Sequence, residues 1–299
     1  PLVNKKATVL ALTITFQLVA WLAVLLRLFA RFRLSRSAGW DDFFVVFACV
    51  RILSNILSLV VICSRVTDYG LGKHLLTLGK SDWTAYLYFF WSATASYVMS
   101  TTLIKISILV QYLRLFKSHL TLFRVCIGLL VVVTVWGTVF FFCLIFSCVP
   151  VDKFWNLSEP GHCFGFGVGT TDSTQFYHTF TAHSASNMVL DIIVLTLPAF
   201  ALSSINLEGK RKFAIVGLMT LGAIVVTISI IRMASIVATQ AGQYPTKDPT
   251  WLSPPAIILS CIETDIAILC ASIPIFWPVL SVLSLGSIFV TNEVIVRAE

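Results

Sequence analysis

The sequence predicts an all-α membrane protein: a single domain over residues 1–299 whose seven transmembrane helices form a bundle, N-terminus outside and C-terminus cytoplasmic. Three observations predict it. Charged residues make up only 12% of the chain and hydrophobic ones 58%, whereas a soluble domain carries ~25% charged residues to cover its surface. Seven runs are apolar over the ~20 residues that a helix needs to cross the hydrocarbon core. Lys and Arg are concentrated in the short segments on one side of those runs. The composition excludes an ordinary soluble enzyme, and 23 Phe and 8 Trp exclude a disordered chain, because so much apolar surface has to be buried.

The first run covers 8–28 and passes into Arg27, Arg31 and Arg33. Gly39-Trp40-Asp41-Asp42 opens the second, 43–63, where Trp40 anchors at the interface and an Asp caps the new helix beside the arginines. A turn at 68–71 leads to the third run, 86–112, and the basic connection Arg114, Lys117 and Arg124 leads to the fourth, 125–146. A long segment, 149–174, precedes the fifth run, 181–202. Glu208 to Lys212 separate it from the sixth, 213–238, and the turn-rich 242–249 separates that from the seventh, 252–280.

Orientation follows from the basic residues. Arg27, Arg31, Arg33, Arg36, Arg114, Lys117, Arg124, Lys210, Arg211 and Lys212 place ten in three short connections. Lys5, Lys6, Arg65, Lys73, Lys80, Lys153 and Lys247 spread seven over longer ones. The denser side is expected to be cytoplasmic. The net charge of +7 is thus explained by the bilayer as partner, and no nucleic-acid partner is expected.

This topology puts the sequon Asn156-Leu157-Ser158 outside, as a glycosylation candidate. Cys148 and Cys163 flank it and form a disulfide candidate that an oxidising compartment would preserve. Such a bridge would order an external lid with ~3 kcal/mol of loop closure. The other cysteines, Cys49, Cys63, Cys126, Cys143, Cys261 and Cys270, sit in or at the runs and read as packing residues. No Cys/His spacing resembles a zinc site, so no metal is expected.

A charge at mid-bilayer costs ~2.5–3.5 kcal/mol, so each one needs a reason. Six occur: Arg51, Lys105, Asp191, Arg232, Glu263 and Asp265, three basic and three acidic, a balance that implies pairing inside the bundle. Arg51 and Lys105 lie ~12 Å from the cytoplasmic ends of their runs, which suits a shared inner-leaflet environment with snorkelling or simple structural pairing. Arg232 with Asp191 or Glu263 is the best-placed ion pair. Asn187, four residues before Asp191, shares its helical face. Glu263 and Asp265 point about 200° apart and cannot both serve one site. This cluster of Asn187, Asp191, Arg232, Glu263 and Asp265 reads as a structural polar core, a ligand pocket, or a proton or ion relay. Tyr177, His178 and His183 are placed in the loop before the fifth run, without the spacing of a metalloprotease motif.

Several motifs in order carry a resemblance. They are the arginines leading into Gly39-Trp40-Asp41-Asp42, Lys105-x-Ser107-Ile108-Leu109 with Tyr112-x-Arg114-x-Phe116, and Phe146-x-Cys148-x-Pro150-Val151 with Trp155, Gly161 and Cys163. Asn187, Asp191 and Pro198, then Gly222, Ser229 and Arg232, then Asp248, Trp251, Glu263 and Pro274 complete them. From about Leu26 to Pro278 the chain resembles the fungal rhodopsin-domain family, which includes receptor-like proteins implicated in sensing plant surfaces and proteins encoded beside mycotoxin gene clusters. The resemblance strengthens the Cys148–Cys163 pairing. It does not imply retinal: a Schiff base needs a lysine in the seventh span, none occurs between Trp251 and Glu299, and Lys105 is a poor substitute. No cofactor is therefore expected. Coupling to a G protein rests on analogy alone, because Tyr112-Leu113-Arg114 replaces Asp/Glu-Arg-Tyr and the seventh span lacks Asn-Pro-x-x-Tyr.

The expectation is a receptor-like or sensor protein of the plasma membrane or an endomembrane, binding a small lipophilic or extracellular ligand and passing its state to a cytoplasmic signalling partner. The alternative is a membrane-embedded enzyme, for example a cyclase, or an accessory factor of secondary metabolism, in which a buried Asp or Glu serves as general acid. A transporter ranks below both, since no inverted repeat is visible.

Overall fold

The computed structural model describes residues 4–29, 71–117, 119–168, 173–204 and 210–283. Its long helices are α1 (Lys6–Phe29), α2 (Lys80–Leu115), α3 (Leu120–Ile145), α4 (Ser173–Ser204), α5 (Lys210–Ala238) and α6 (Pro254–Leu283). All six contain a stretch long and apolar enough to cross a membrane, and they coincide with six of the seven runs. The run at 43–63 lies outside the described residues. Five of the six helices begin earlier than hydropathy indicates, most of all α4 at Ser173, α2 at Lys80 and α3 at Leu120. Hydropathy registers only the apolar middle of a span. The backbone hydrogen bonds continue through its polar and aromatic ends, so the 36 residues of α2 reach ~54 Å, well past a ~30 Å hydrocarbon core.

The helix α2 is central. It packs against α3, α4 and α6, while α6 also packs on α1 and α5, and α4 on α5. In the most apolar stretch of α2 61% of residues are buried, against 17% for α3, which turns most of its surface outward. Gly137 of α3 allows close approach to α2, since a Cβ there would overlap the Thr102 side chain. Gly137→Leu is expected to lower stability by about 1–3 kcal/mol, read as a lower melting temperature of the purified protein. At Gly128 of the same helix a Cβ meets nothing within 4 Å. Gly128→Leu should therefore leave the melt unchanged.

The end of the bundle remote from the hairpin described below is held by one carbonyl. Ala271 O of α6 accepts from Arg27 Nη1 of α1 and, at 3.0 Å, from Gln111 Nε2 of α2. Arg27 is fully buried. It is one of the ten basic residues that set the expected orientation, and its guanidinium serves the interior because the last turn of α1 lies against α6.

At the other end, β1 (Cys148–Val149) and β2 (His162–Cys163) form a two-stranded antiparallel hairpin with Cys148 opposite Cys163. The two cysteines are joined by a disulfide. Gly167 is needed beside it, because a Cβ would lie 2.6 Å from Cys163 Cβ and 2.9 Å from Ser147 O. Within the loop, Asn156 Nδ2 donates to Glu159 Oε1 at 3.3 Å and Lys153 Nζ to the Glu159 carbonyl at 2.6 Å. Trp155 packs edge-on against Tyr88 and Trp91 of α2.

A second fastening at this end joins the segment before α2 to the one before α6. Asp248 receives the Leu75 N–H at 3.0 Å and the Thr250 hydroxyl at 3.0 Å, and it pairs with His74 Nδ1 at 2.7 Å. His74 stacks on Trp251, whose carbonyl accepts from Asn4 Nδ2 at 3.0 Å. Partial burial alone would raise the Asp248 carboxyl, but hydrogen bonds from His74, Leu75, Thr250 and Trp251 outweigh it and hold the group below its ordinary 3.8. A carboxyl titrating lower folded than unfolded contributes stability in full above the unfolded value, and loses it as pH falls through the folded one. Asp248→Ala is therefore expected to cost about 1–3 kcal/mol at neutral pH, and the difference from the native protein should close below pH 3.8 in melts across pH.

Candidate functional site

Six side chains from four helices meet in one buried network. Glu263 of α6 is its hub. Its Oε2 accepts from Arg232 Nε of α5 at 2.7 Å, its Oε1 from Asn187 Nδ2 of α4 at 2.9 Å, and the Tyr97 hydroxyl of α2 approaches both oxygens at 3.3 and 3.4 Å. Asn187 also donates to Asp191 Oδ2 at 3.1 Å, one turn along α4. Its own amide oxygen accepts from Lys105 Nζ of α2 at 2.8 Å, and Lys105 closes the chain on Asp191 Oδ1 at 2.8 Å. The Arg232 guanidinium lies over the Tyr97 ring, 5.1 Å from its centroid. Two cations and two carboxylates are thus paired, and the amide of Asn187 bridges the pairs. Burial makes this pairing obligatory: Glu263 is 2% exposed and Arg232 3%.

Lys105 is thereby placed inside the polar core. Its aliphatic stem carries the ammonium across to α4, where two oxygens meet it, so it is not directed to headgroups. Arg51, expected to share its environment, lies outside the described residues. Asp265 faces away from the network, as its angular separation from Glu263 requires. The Gln17 amide of α1 donates to Asp265 Oδ1 at 3.0 Å and accepts from Trp21 Nε1 at 3.0 Å. His183 is not in a loop: it lies one turn before Asn187 in α4, buried, stacked on Trp136 and edge-on to Phe140. Its signal is in the sequence, since 183, 187 and 191 repeat every four residues along one helical face. Tyr97 and Ser100 are polar interior residues that the charge survey passed over, because neutral hydroxyls do not stand out in an apolar run.

Two members of the network, Tyr97 and Arg232, line a cavity of about 180 Å³ that reaches to Leu71, Gly242 and Leu252, in the segments before α2 and α6. Phe89, Phe90, Phe176 and Phe180 form much of its wall, with small residues such as Ala93 and Ala256 between them. Tyr97, Ser100, His183 and Arg232 supply its polar base, and Gln17 carries Asp265 to its edge. Three buried polar atoms among these have no partner among the described residues: Arg232 Nη2, His183 Nε2 and Ser100 Oγ. On the opposite side of the network a smaller space of about 50 Å³ touches Lys105, Asp191 and Glu263. An apolar, aromatic-walled space with a few convergent polar groups at its base is the form of a small-molecule site.

The chain matches the sequence profile of the fungal rhodopsin domain over residues 26–282. It is 26% identical over 263 residues to Wortmanamides biosynthesis cluster protein C of Talaromyces wortmannii, covering 84% of this chain and 64% of that one. It is 27% identical over 224 residues to a SAT4 family membrane protein of Emericella nidulans, covering 72% of this chain and 50% of that one. A third relative, Satratoxin biosynthesis SC1 cluster protein 4 of Stachybotrys chartarum, is 27% identical over 193 residues, 64% of this chain and 65% of its own length. The chain spans between half and just under two thirds of these relatives. No solved structure matches it.

Proposed function

The chain belongs to the fungal rhodopsin domain family of membrane proteins, and from that premise we propose a receptor-like or sensor protein whose cavity takes up a small lipophilic ligand. The cavity is the observation that carries this reading: its apolar wall suits a lipophilic body, and its base shares Tyr97 and Arg232 with the network that ties α2, α4, α5 and α6 together. A ligand drawing on Arg232 alters the hydrogen bonds around Glu263, and Asn187 passes that change to Asp191 and Lys105. Occupancy at one end is thus felt where α2 and α4 meet, which a cytoplasmic signalling partner can read as a shift between helix arrangements. We read the ligand as other than a retinal Schiff base, since α6 holds no lysine and Lys105 is engaged by Asp191 and Asn187. A plasma-membrane or endomembrane site is part of the same proposal. A melting-temperature screen of the purified protein against lipophilic small molecules tests it. Compounds that raise the melt of the native protein but not of Ala93→Phe, whose ring fills the cavity, are expected; stabilisers indifferent to that substitution would count against the reading.

A second reading is favoured by two of the relatives, whose names attach them to wortmanamide and satratoxin biosynthesis clusters. In it the cavity holds a biosynthetic intermediate, and the protein acts as a membrane-embedded enzyme, such as a cyclase, or as an accessory factor. Asp265, reached from the cavity edge through Gln17, is then the candidate acid. Expression alongside candidate intermediates should yield a new product by mass spectrometry, lost in Asp265→Asn.

A further inference from the structure

The cavity base specifies what kind of head group it takes. Arg232, a residue of the cavity lining, uses Nε on Glu263 and keeps Nη2 buried with no partner among the described residues, so charge-assisted N–H is left to donate. Ser100 Oγ and His183 Nε2, also unpartnered, line the same base. A buried donor without an acceptor is costly, and the apolar wall offers none. The missing group is an acceptor oxygen. Its charge follows from the pairing around it: Lys105 with Asp191 and Arg232 with Glu263 already balance. A carboxylate would add a third anion against two cations in a space walled by Phe rings, whereas a carbonyl oxygen meets the N–H and leaves the balance untouched.

Resting on the ligand-binding reading above, we infer that the cavity selects an uncharged lipophilic molecule bearing a carbonyl-type oxygen, such as a ketone, lactone or ester, seated on Arg232 Nη2 beside Ser100 and His183. The phenylalanine wall then favours a flat, unsaturated or ring-containing body over a flexible acyl chain, because ring faces pack with little ordering cost.

The test uses three probes sharing one dimethylaminonaphthalene body and differing only in the substituent: a propionyl ketone, a carboxylate and a propyl hydrocarbon. Binding to the full chain in lipid nanodiscs is measured by equilibrium dialysis, with empty nanodiscs as the partition background. The ketone is expected to bind about tenfold or more tightly than the propyl probe, the gain of one charge-assisted hydrogen bond, and more tightly than the carboxylate. Arg232→Lys keeps a cation for Glu263 but removes Nη2, and should bring the ketone-to-propyl ratio toward one. If that variant does not fold, the infrared carbonyl band of the bound ketone on the native protein decides: a shift to lower frequency supports the bond, and an unshifted band overturns it. A carboxylate that binds more tightly than the ketone, or a ketone no better than the propyl probe, overturns this inference and leaves the cavity's ligand-binding role standing. All three probes at background, or binding unchanged in Ala93→Phe, overturns that role itself.

Discussion

Glu263→Ala is expected to destabilise the bundle by about 3–5 kcal/mol, the largest loss from any single substitution in the polar core. The carboxylate it removes accepts from Arg232, Asn187 and Tyr97 at once. Most of the cost comes from what is left behind, because the Arg232 cation remains 3% exposed and loses its counter-charge, while Nη2 already has no partner. Pairing the change with Arg232→Met removes the stranded charge as well, and the double variant should recover much of the loss, since apolar residues of similar volume often replace a buried ion pair at little cost. Melting curves of single and double variants, with gel filtration to confirm monodispersity, check both halves. A double variant no better than Glu263→Ala would mean that stability depends on the carboxylate's bonds to Asn187 and Tyr97, and not on charge balance.

Cys148→Ser is expected to lower stability by ~3 kcal/mol, the loop-closure value for a bridge between cysteines 15 residues apart. The hairpin has only two residues per strand, too few for a ladder to hold its own register, so the covalent bond sets Cys148 against Cys163. Phe154, fully buried, and Trp155 pack from this loop onto the first turns of α2. Opening the bridge should therefore loosen the cavity mouth as well as the loop. Adding reductant should lower the melt of the native protein to that of Cys148→Ser and leave the variant unmoved; a native melt insensitive to complete reduction would remove the bridge from any role in stability.

How far the sequence revealed this arrangement depends on the length of the side chain concerned. Asn187 and Asp191 were legible because four residues along a helix return to the same face, and the short side chains stay where the backbone puts them. Glu263 and Arg232 were legible as partners because both lie deep in their spans and have opposite charge. Lys105 was not, since depth along α2 locates its Cα while a four-carbon stem decides where the ammonium goes. Nor does position alone locate the Arg27 guanidinium: near the end of an apolar run, an arginine that snorkels and one that turns inward look alike until α6 is known to stand beside it. His183, at the edge of the 181–202 run, reads as a loop residue because a polar histidine beside Tyr177 and His178 resembles the segment before the span, whereas α4 begins ten residues earlier at Ser173. The disulfide was legible from its flanking of one segment, whereas the clasp of His74, Asp248 and Trp251 unites residues more than 170 apart that no local pattern connects.

The Ala271 carbonyl gives α6 a pivot. Bonded from two neighbouring helices, it fixes one point of a rod whose other end, at Pro254, stands ~25 Å away beside the cavity mouth. Tilting such a rod by about 5° swings the Pro254 end by ~2 Å while the pinned turn stays in place. Glu263 sits about midway along the arm. A movement there of ~1 Å is enough to stretch a charge-assisted hydrogen bond past its useful length. Over the arm from Pro254 to Ala271 the geometry is that of a lever with its fulcrum at Ala271 and its contact point in the middle, so a small tilt of α6 is felt where Glu263 and Arg232 are paired.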